Sequence, residues 1–386
     1  MFFNRSIFYL DAAAATPLDL KVLRAMQPYF VESFFNPSSI HRGGVMVRKA
    51  VDAARRQVAD LIAARPEEIV FTSGATESVN LALLGSARAL RNHGNHVVTV
   101  ATEHAATIET LKREGFTVTF VPVGKDGSVN PTQLLAAIRP DTILVTLMLV
   151  NNELGVIAPM AEIGKAIARL RKDNRALYPL LHTDASQAAG LLAVDVEKLH
   201  VDLLSFTASK MYGPKGIGAL YVKKGTRLQP LLSGGNQESG LRAGTENVPG
   251  IIGFGAAAAL AKRNRTRYEH HLARLKTVFL KKLHHAGIVY RVTGEGASTA
   301  PSIVSITFSE IDGEELLLRL DAKGIAASAA SACRTSDHPS HVLRAIGLSE
   351  AEVRSTLRFS FLHTMSVREA RRAAKIVAKL ASALAK

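Results

Sequence analysis

A chain of 386 residues exceeds one ordinary domain and has room for two or three. With 47% hydrophobic and 21% charged residues it can bury a substantial core, which excludes a disordered or low-complexity protein. The single cysteine, Cys333, excludes an intrachain disulfide, and no CxxC or Cys/His cluster is present to hold zinc or an iron–sulfur cluster within one chain. The expected setting is reducing and cytoplasmic.

The net charge of +15 is unevenly spread: residues 1–261 carry +5 and residues 262–386 carry +10. Such a bias suits either a polyanionic partner or plain solubility. Ile7 to Leu10 is too brief for a signal-peptide core. The longest apolar stretch, Ile251 to Ala261, falls short of the roughly 20 residues of a membrane span, so no membrane partner is expected.

In chain order, Val47 to Ala64 has the apolar spacing of a helix, and Glu68 to Thr72 that of a short strand. A turn at Ser73 to Thr76 leads into a helix through Val79, Leu81, Leu83 and Leu84. Strands are predicted at 97–101, 117–121, 142–150, 180–183, 203–206 and 219–222. Most are continuous apolar runs, as in strands covered on both faces, and helices intervene. The pattern predicts an α/β protein with a mostly parallel, doubly wound sheet. Beyond the apolar run at 251–261, a basic helix from Arg263 to His285 leads to a tail. The tail is read as strand 303–307, helix 313–323, strand 356–361 and helix 367–384, a smaller α/β unit. The expected division is a large domain at 15–261, and a small domain formed by 1–14 with 262–386.

Several junctions carry chemistry. Phe71 to Glu77 joins a strand to a helix N-terminus, where free N–H groups favour an anion; a plain N-cap accounts for the same residues. Ser205 to Gly216 places Lys210 between hydroxyl residues and a glycine-rich turn, and a partly buried lysine there can form a Schiff base with a cofactor aldehyde. Asp184 closes an apolar strand, a position that serves either a ligand or a helix cap. His104 follows the strand at 97–101. Cys333 lies in a small polar loop beside Arg334 and His338, whose cationic character favours thiolate.

Taken together, these residues resemble the NifS/IscS-like cysteine desulfurases, pyridoxal-phosphate enzymes of the class V aminotransferase group. The resemblance runs through Tyr9 to Pro17, Asn36 to His41, Thr72 to Ser78, Thr102 to His104, Asn151 to Gly155, His182 to Gln187, Lys210 to Gly218, Arg242 to Thr245, Ser331 to Leu343 and Arg358. It implies a fold-type I transferase with a mostly parallel seven-stranded sheet in the large domain and a smaller C-terminal α/β domain. The implied cofactor is pyridoxal 5′-phosphate and the implied reaction takes L-cysteine to L-alanine. By the resemblance, Lys210 holds the cofactor and moves the substrate α-proton, Asp184 faces the pyridine nitrogen, His104 stacks on the ring and Gln187 bonds the ring oxygen. Ala75, Thr76, Thr207 and Ser209 cradle the phosphate, with Thr245 supplied by a partner subunit. Asn152 and Arg358 hold the substrate carboxylate. Cys333 takes the sulfur as a persulfide.

The implied partners are a second copy of the chain and a sulfur acceptor, either an iron–sulfur scaffold or a tRNA-thiolation protein. Three features depart from the family pattern. Ser209 stands where histidine is usual, the cysteine loop is about one residue shorter, and Phe361 to Thr364 replaces a usual glycine. A selenocysteine lyase or an aminotransferase on the same fold would share Lys210 and Asp184, although an aminotransferase has no need of the Cys333 loop. An RNA-binding protein on a degenerate scaffold would explain the basic C-terminal third. Without interleaved aromatics, direct nucleic-acid binding is not expected, and the basic third is read as a docking face for an acidic acceptor or RNA, with ordinary solubility as the alternative.

Overall fold

The structure is a computed structural model that describes residues 7–329 and 340–385. The chain runs β1 (Phe8–Tyr9), α1 (Leu20–Met26), α2 (Pro28–Val31), α3 (Arg42–Leu61), β2 (Ile69–Thr72), α4 (Ala75–Leu90), β3 (His96–Val100), α5 (Ala105–Arg113) and β4 (Thr117–Val121). It continues through α6 (Pro131–Ala136), β5 (Thr142–Met148), α7 (Met160–Asp173), β6 (Leu180–Asp184), α8 (Val196–Leu199), β7 (Leu203–Thr207), β8 (Gly218–Val222) and α9 (Val248–His285). The remainder is β9 (Tyr290–Thr293), β10 (Ile303–Phe308), α10 (Gly313–Ala322), β11 (Ile325–Ala326), β12 (Ser328–Ala329), α11 (His341–Ala345), α12 (Glu350–Arg354), β13 (Thr356–Ser360) and α13 (Val367–Leu384).

The continuous apolar runs form a seven-stranded sheet in the order β2-β8-β7-β6-β5-β3-β4. Only β8 runs against its neighbours, so the sheet is mostly parallel, as the sequence pattern implied. Strands β2, β3, β5, β6, β7 and β8 are buried at every residue, which requires helices on both faces. One face packs against a large core that includes α3, the start of α9, and Phe206 and Phe254, whose rings meet edge to face at 5.4 Å. The other face packs against α4.

A second sheet, β12-β13-β10-β9, is built from the C-terminal chain, and β1 pairs in parallel with β11 beside it. Its core holds Leu272, Leu275, Phe279 and Leu283 of α9 against Phe308, Phe359 and the alanines of α13; Leu10 joins it from the N-terminal segment.

Two differences from the sequence reading have physical causes. The apolar run at 251–261 and the basic stretch after it form one 38-residue helix, α9, because neither glycine nor proline interrupts residues 256–285. The helix leaves the first core at Ala261 and enters the second at Leu272. Strand β9 was absent from the reading because it is a short edge strand, with Arg291 exposed and only Thr293 buried. Among the described residues, no helix is long and apolar enough to cross a membrane.

Candidate active site

At the carboxyl ends of the parallel strands the chain turns outward and leaves a cavity of about 720 Å³. It is lined by Ala75 and Thr76 from the start of α4, His104 after β3, Asn152 after β5, Asp184 and Gln187 after β6, and Thr207, Ser209 and Lys210 after β7. Arg358 reaches it from β13. All the sequence-predicted residues within the described chain therefore meet in one place except Thr245. That residue lines a separate cavity of about 200 Å³ with Ser73, Gly216 and Arg242. Cys333 lies outside the described residues.

Each position has a local cause. Gly74 precedes α4 at φ +157°, a conformation essentially confined to glycine, and a Cβ there would meet nothing within 4 Å. Opposite it, a Cβ on Gly218 would lie 2.6 Å from the carbonyl carbon of Gly74. The two glycines thus bring β8 against the turn and leave the first turn of α4, which no side chain caps, facing the cavity. The hydroxyl of Thr207 donates to the Ile217 carbonyl at 3.0 Å and lies 3.3 Å from the Ser209 hydroxyl. His104 caps α5, its Nδ1 accepting from the Ala106 N–H at 3.0 Å. Asp184 is 4% exposed, and its Oδ1 accepts from the Ser186 N–H at 2.8 Å.

Lys210 ends the short turn after β7, and its ammonium donates to the carbonyl oxygens of Ala13 and Ala14. The Ala13 carbonyl also accepts from Gln187 Nε2 at 3.0 Å. Burial pushes the lysine down to about 8, with the Arg358 cation adding to the effect and Asp11 and Asp184 opposing it. An amine so poised is a competent nucleophile near neutral pH. Arg358 donates from Nη1 to the Asn152 carbonyl at 3.0 Å and from Nη2 to Asp11 Oδ1 at 2.8 Å. Its Nε and the Asn152 side-chain oxygen are buried without hydrogen-bond partners among the described residues.

Three acidic residues in or beside the site stand inside matched motifs but were given no role there. Asp11 bonds Arg358 across 347 positions of sequence, a separation that no local pattern reveals. Glu103 is fully buried under the cavity, with Oε1 accepting from the Met148 N–H at 2.6 Å. Desolvation, reinforced by Asp184, drives its carboxyl up to about 8, so it is largely protonated at neutral pH. Burial also raises Glu153, which lines the cavity and accepts from the Ser340 hydroxyl at 2.6 Å, against the pull of that bond and of nearby cations. Glu103 and Glu153 both stood inside matched motifs, but nothing in the sequence showed their burial.

A doubly wound sheet with a lysine, a carboxylate and a helix N-terminus converging at its strand ends defines a cofactor-dependent transferase of α/β type. The chain belongs to the class-V aminotransferase family, whose family model matches residues 8–372. Within that family its relatives are cysteine desulfurases. It is 44% identical to the putative cysteine desulfurase IscS 1 of Bacillus subtilis (strain 168), over 97% of this chain and 99% of the relative. It is 43% identical to the cysteine desulfurase IscS of Dictyoglomus turgidum, over 91% and 89%. Among solved structures, a NifS-like protein superposes with TM-score 0.90 at 33% identity, covering 98% of this chain and all of that one. The structure titled SspA in complex with cysteine matches with TM-score 0.79 at 36% identity, covering 92% and 98%.

The family's cofactor is pyridoxal 5′-phosphate, and the residues fit it. The glycine pair leaves a cradle that a Cβ on Gly74 would fill. The uncapped helix start with the Thr76 and Ser209 hydroxyls is a donor set for a phosphate, while Lys210 is an amine for an aldehyde.

Proposed function

We propose that this protein is a cysteine desulfurase that converts L-cysteine to L-alanine and carries the sulfur as a persulfide on Cys333. The observation that carries this reading is the meeting of Lys210, Asp184, His104, Gln187 and Arg358 in one cavity. Bound pyridoxal phosphate supplies an electron sink for the charge left at the substrate α-carbon. With the cofactor bound, Asp184 would keep the pyridine nitrogen protonated, His104 would stack on the ring, and Gln187 would bond the ring oxygen. Ala75, Thr76, Thr207 and Ser209 take the phosphate. Lys210 would hold the cofactor aldehyde, and its amine would move the substrate α-proton. Asn152 and Arg358 bind the substrate carboxylate through amide and guanidinium. Cys333 attacks the substrate sulfur; an S–S bond forms as the carbon–sulfur bond breaks, leaving alanine.

The protein acts as a homodimer in the cytoplasm in this reading, with Thr245 of one protomer completing the phosphate site of the other. A run of exposed apolar side chains supports a partner surface: Phe30, Val31, Phe34 and Ile40 are 59%, 76%, 68% and 95% exposed. The large domain comprises residues 15–261, and the small domain joins 1–14 to 262–386, supported by the shared core of Leu10 with Leu272 to Leu283.

The sulfur acceptor, a scaffold for iron–sulfur assembly or a tRNA-thiolation protein, is acidic. Arg368, Arg371, Arg372, Lys375 and Lys379 stand exposed along α13, and Arg263, Arg267, Arg274 and Lys281 along α9. These exposed rows suit an acidic partner by charge complementarity. The test of the activity is Cys333→Ser with L-cysteine. Loss of persulfide and of alanine formation is expected while the visible cofactor band persists. Alanine formed at the wild-type rate without persulfide would defeat the reading.

A further inference from the structure

The substrate-carboxylate site is already half taken by the chain itself. Arg358 Nη2 donates to Asp11 Oδ1 at 2.8 Å, and the side chains are 11% and 21% exposed. Nη1 is held by the Asn152 carbonyl, while Nε is buried and has no partner among the described residues. The segment around Asp11 is hydrogen-bonded in place. Ser360 N–H donates to the Leu10 carbonyl at 2.7 Å, Ala12 N–H to the Ser360 carbonyl at 3.3 Å and Ala13 N–H to the Ser360 hydroxyl at 2.8 Å, so the segment is clamped to the end of β13. The carbonyls of Ala13 and Ala14 then receive Lys210. One clamped stretch of four residues therefore satisfies both cations of the cavity, by a full negative charge at Arg358 and by neutral carbonyls at Lys210.

We propose that Asp11 is a built-in competitor for the substrate carboxylate, holding one arm of Arg358 and setting how tightly the site takes an amino acid. The inference rests on the assignment of Arg358 as the carboxylate-binding residue. An incoming carboxylate must share the guanidinium with Asp11 or displace it, and either way two like charges approach in a poorly solvated pocket. That repulsion keeps binding weak enough to release product while Asp11 keeps the empty guanidinium compensated. Asp11 is a positioning residue: it touches Arg358, and through its charge it also opposes the lowering of Lys210.

A purely structural bridge and a competitor predict opposite signs. Binding of L-alanine to the cofactor-loaded protein, followed by calorimetry, reads the difference. Asp11→Asn retains an oxygen acceptor for Nη2 and removes the charge, while Asp11→Ser removes the charge by a second route in case the amide packs badly. Both variants are expected to bind L-alanine more tightly, by roughly two- to fivefold for one screened charge pair. The pH midpoint for capture of the cofactor by Lys210 in cofactor-free protein is expected to fall as well. Wild-type or weaker affinity in both variants overturns the proposal. Arg358→Ala separates the two claims. If it leaves L-alanine affinity intact, the carboxylate assignment itself is wrong; if it weakens binding while neither Asp11 variant tightens it, only the competitor role fails.

Discussion

The Lys210 amine shows how burial becomes reactivity, and the effect can be titrated. An ordinary lysine near 10.5 holds only about three neutral amines in ten thousand at pH 7, whereas one pushed down to about 8 holds about one in eleven. The neutral, nucleophilic fraction is thus raised about 300-fold by desolvation and by the Arg358 cation. Adding pyridoxal phosphate to cofactor-free protein and following the visible band in stopped flow should give a capture rate that climbs with pH to a plateau, with its midpoint near 8. Stability provides an independent reading of the same group. Below pH 8 the lysine is protonated in both folded and unfolded chains, and its burial penalty is fully present. Between 8 and 10.5 the folded form has lost a proton that the unfolded form keeps, so stability rises with pH. The difference in urea stability between wild type and Lys210→Met should therefore change by about 3 kcal/mol across that window. A capture midpoint at 10 or above, with a flat stability difference, would refute the claim that the cavity depresses this amine.

Glu103 predicts the opposite slope at lower pH. Its folded value near 8 exceeds the unfolded 4.5, so the folded chain keeps a proton that the unfolded chain sheds, and wild-type stability should drop by about 4 kcal/mol between pH 4.5 and 8. Glu103→Gln should remove that slope in urea titrations at a series of pH values. Gly218→Ala forces its Cβ to 2.6 Å from the Gly74 carbonyl carbon; the cradle must open, and cofactor affinity by equilibrium dialysis should fall about tenfold or more while the far-ultraviolet spectrum is kept. Phe279→Ala empties a fully buried site between Phe359 and Phe361, with ring centroids at 5.0 and 5.4 Å, and should cost about 3–5 kcal/mol in urea unfolding.

Much of this architecture was legible as pattern. A strand buried on both faces needs an unbroken apolar run, so β5 (TILVTLM), β6 (LLHTD, in which His182 bonds the Thr146 hydroxyl and Thr183 donates to the Leu147 carbonyl of β5) and β7 (LLSFT) announced a parallel sheet, and the ends of β6 and β7 marked where Asp184 and Lys210 would stand. Edge strands give no such signal. Strand β9 is half wet, and β1, β11 and β12 span two residues each, so they exist only because a partner strand is presented to them. The length of α9 followed from an uninterrupted helical sequence, but its passage from one core to another depended on which faces the two sheets offered.

The residue types of the site, and the family they resemble, were determined by the sequence alone: an amine, a carboxylate, a helix start and an arginine, each at a local motif. The charge state and pairing of those groups were decided by tertiary structure. Glu103 is an ordinary acid until burial strips water from it, and Lys210 an ordinary base until burial, with the Arg358 cation beside it, penalises its charge. Asp11 meets Arg358 only because a β-bridge joins it to Ser360 at the end of β13. Local motifs carry chemical identity, whereas desolvation and long-range pairing are properties of the assembled core, and these set the proton affinities and the charge that greets the substrate.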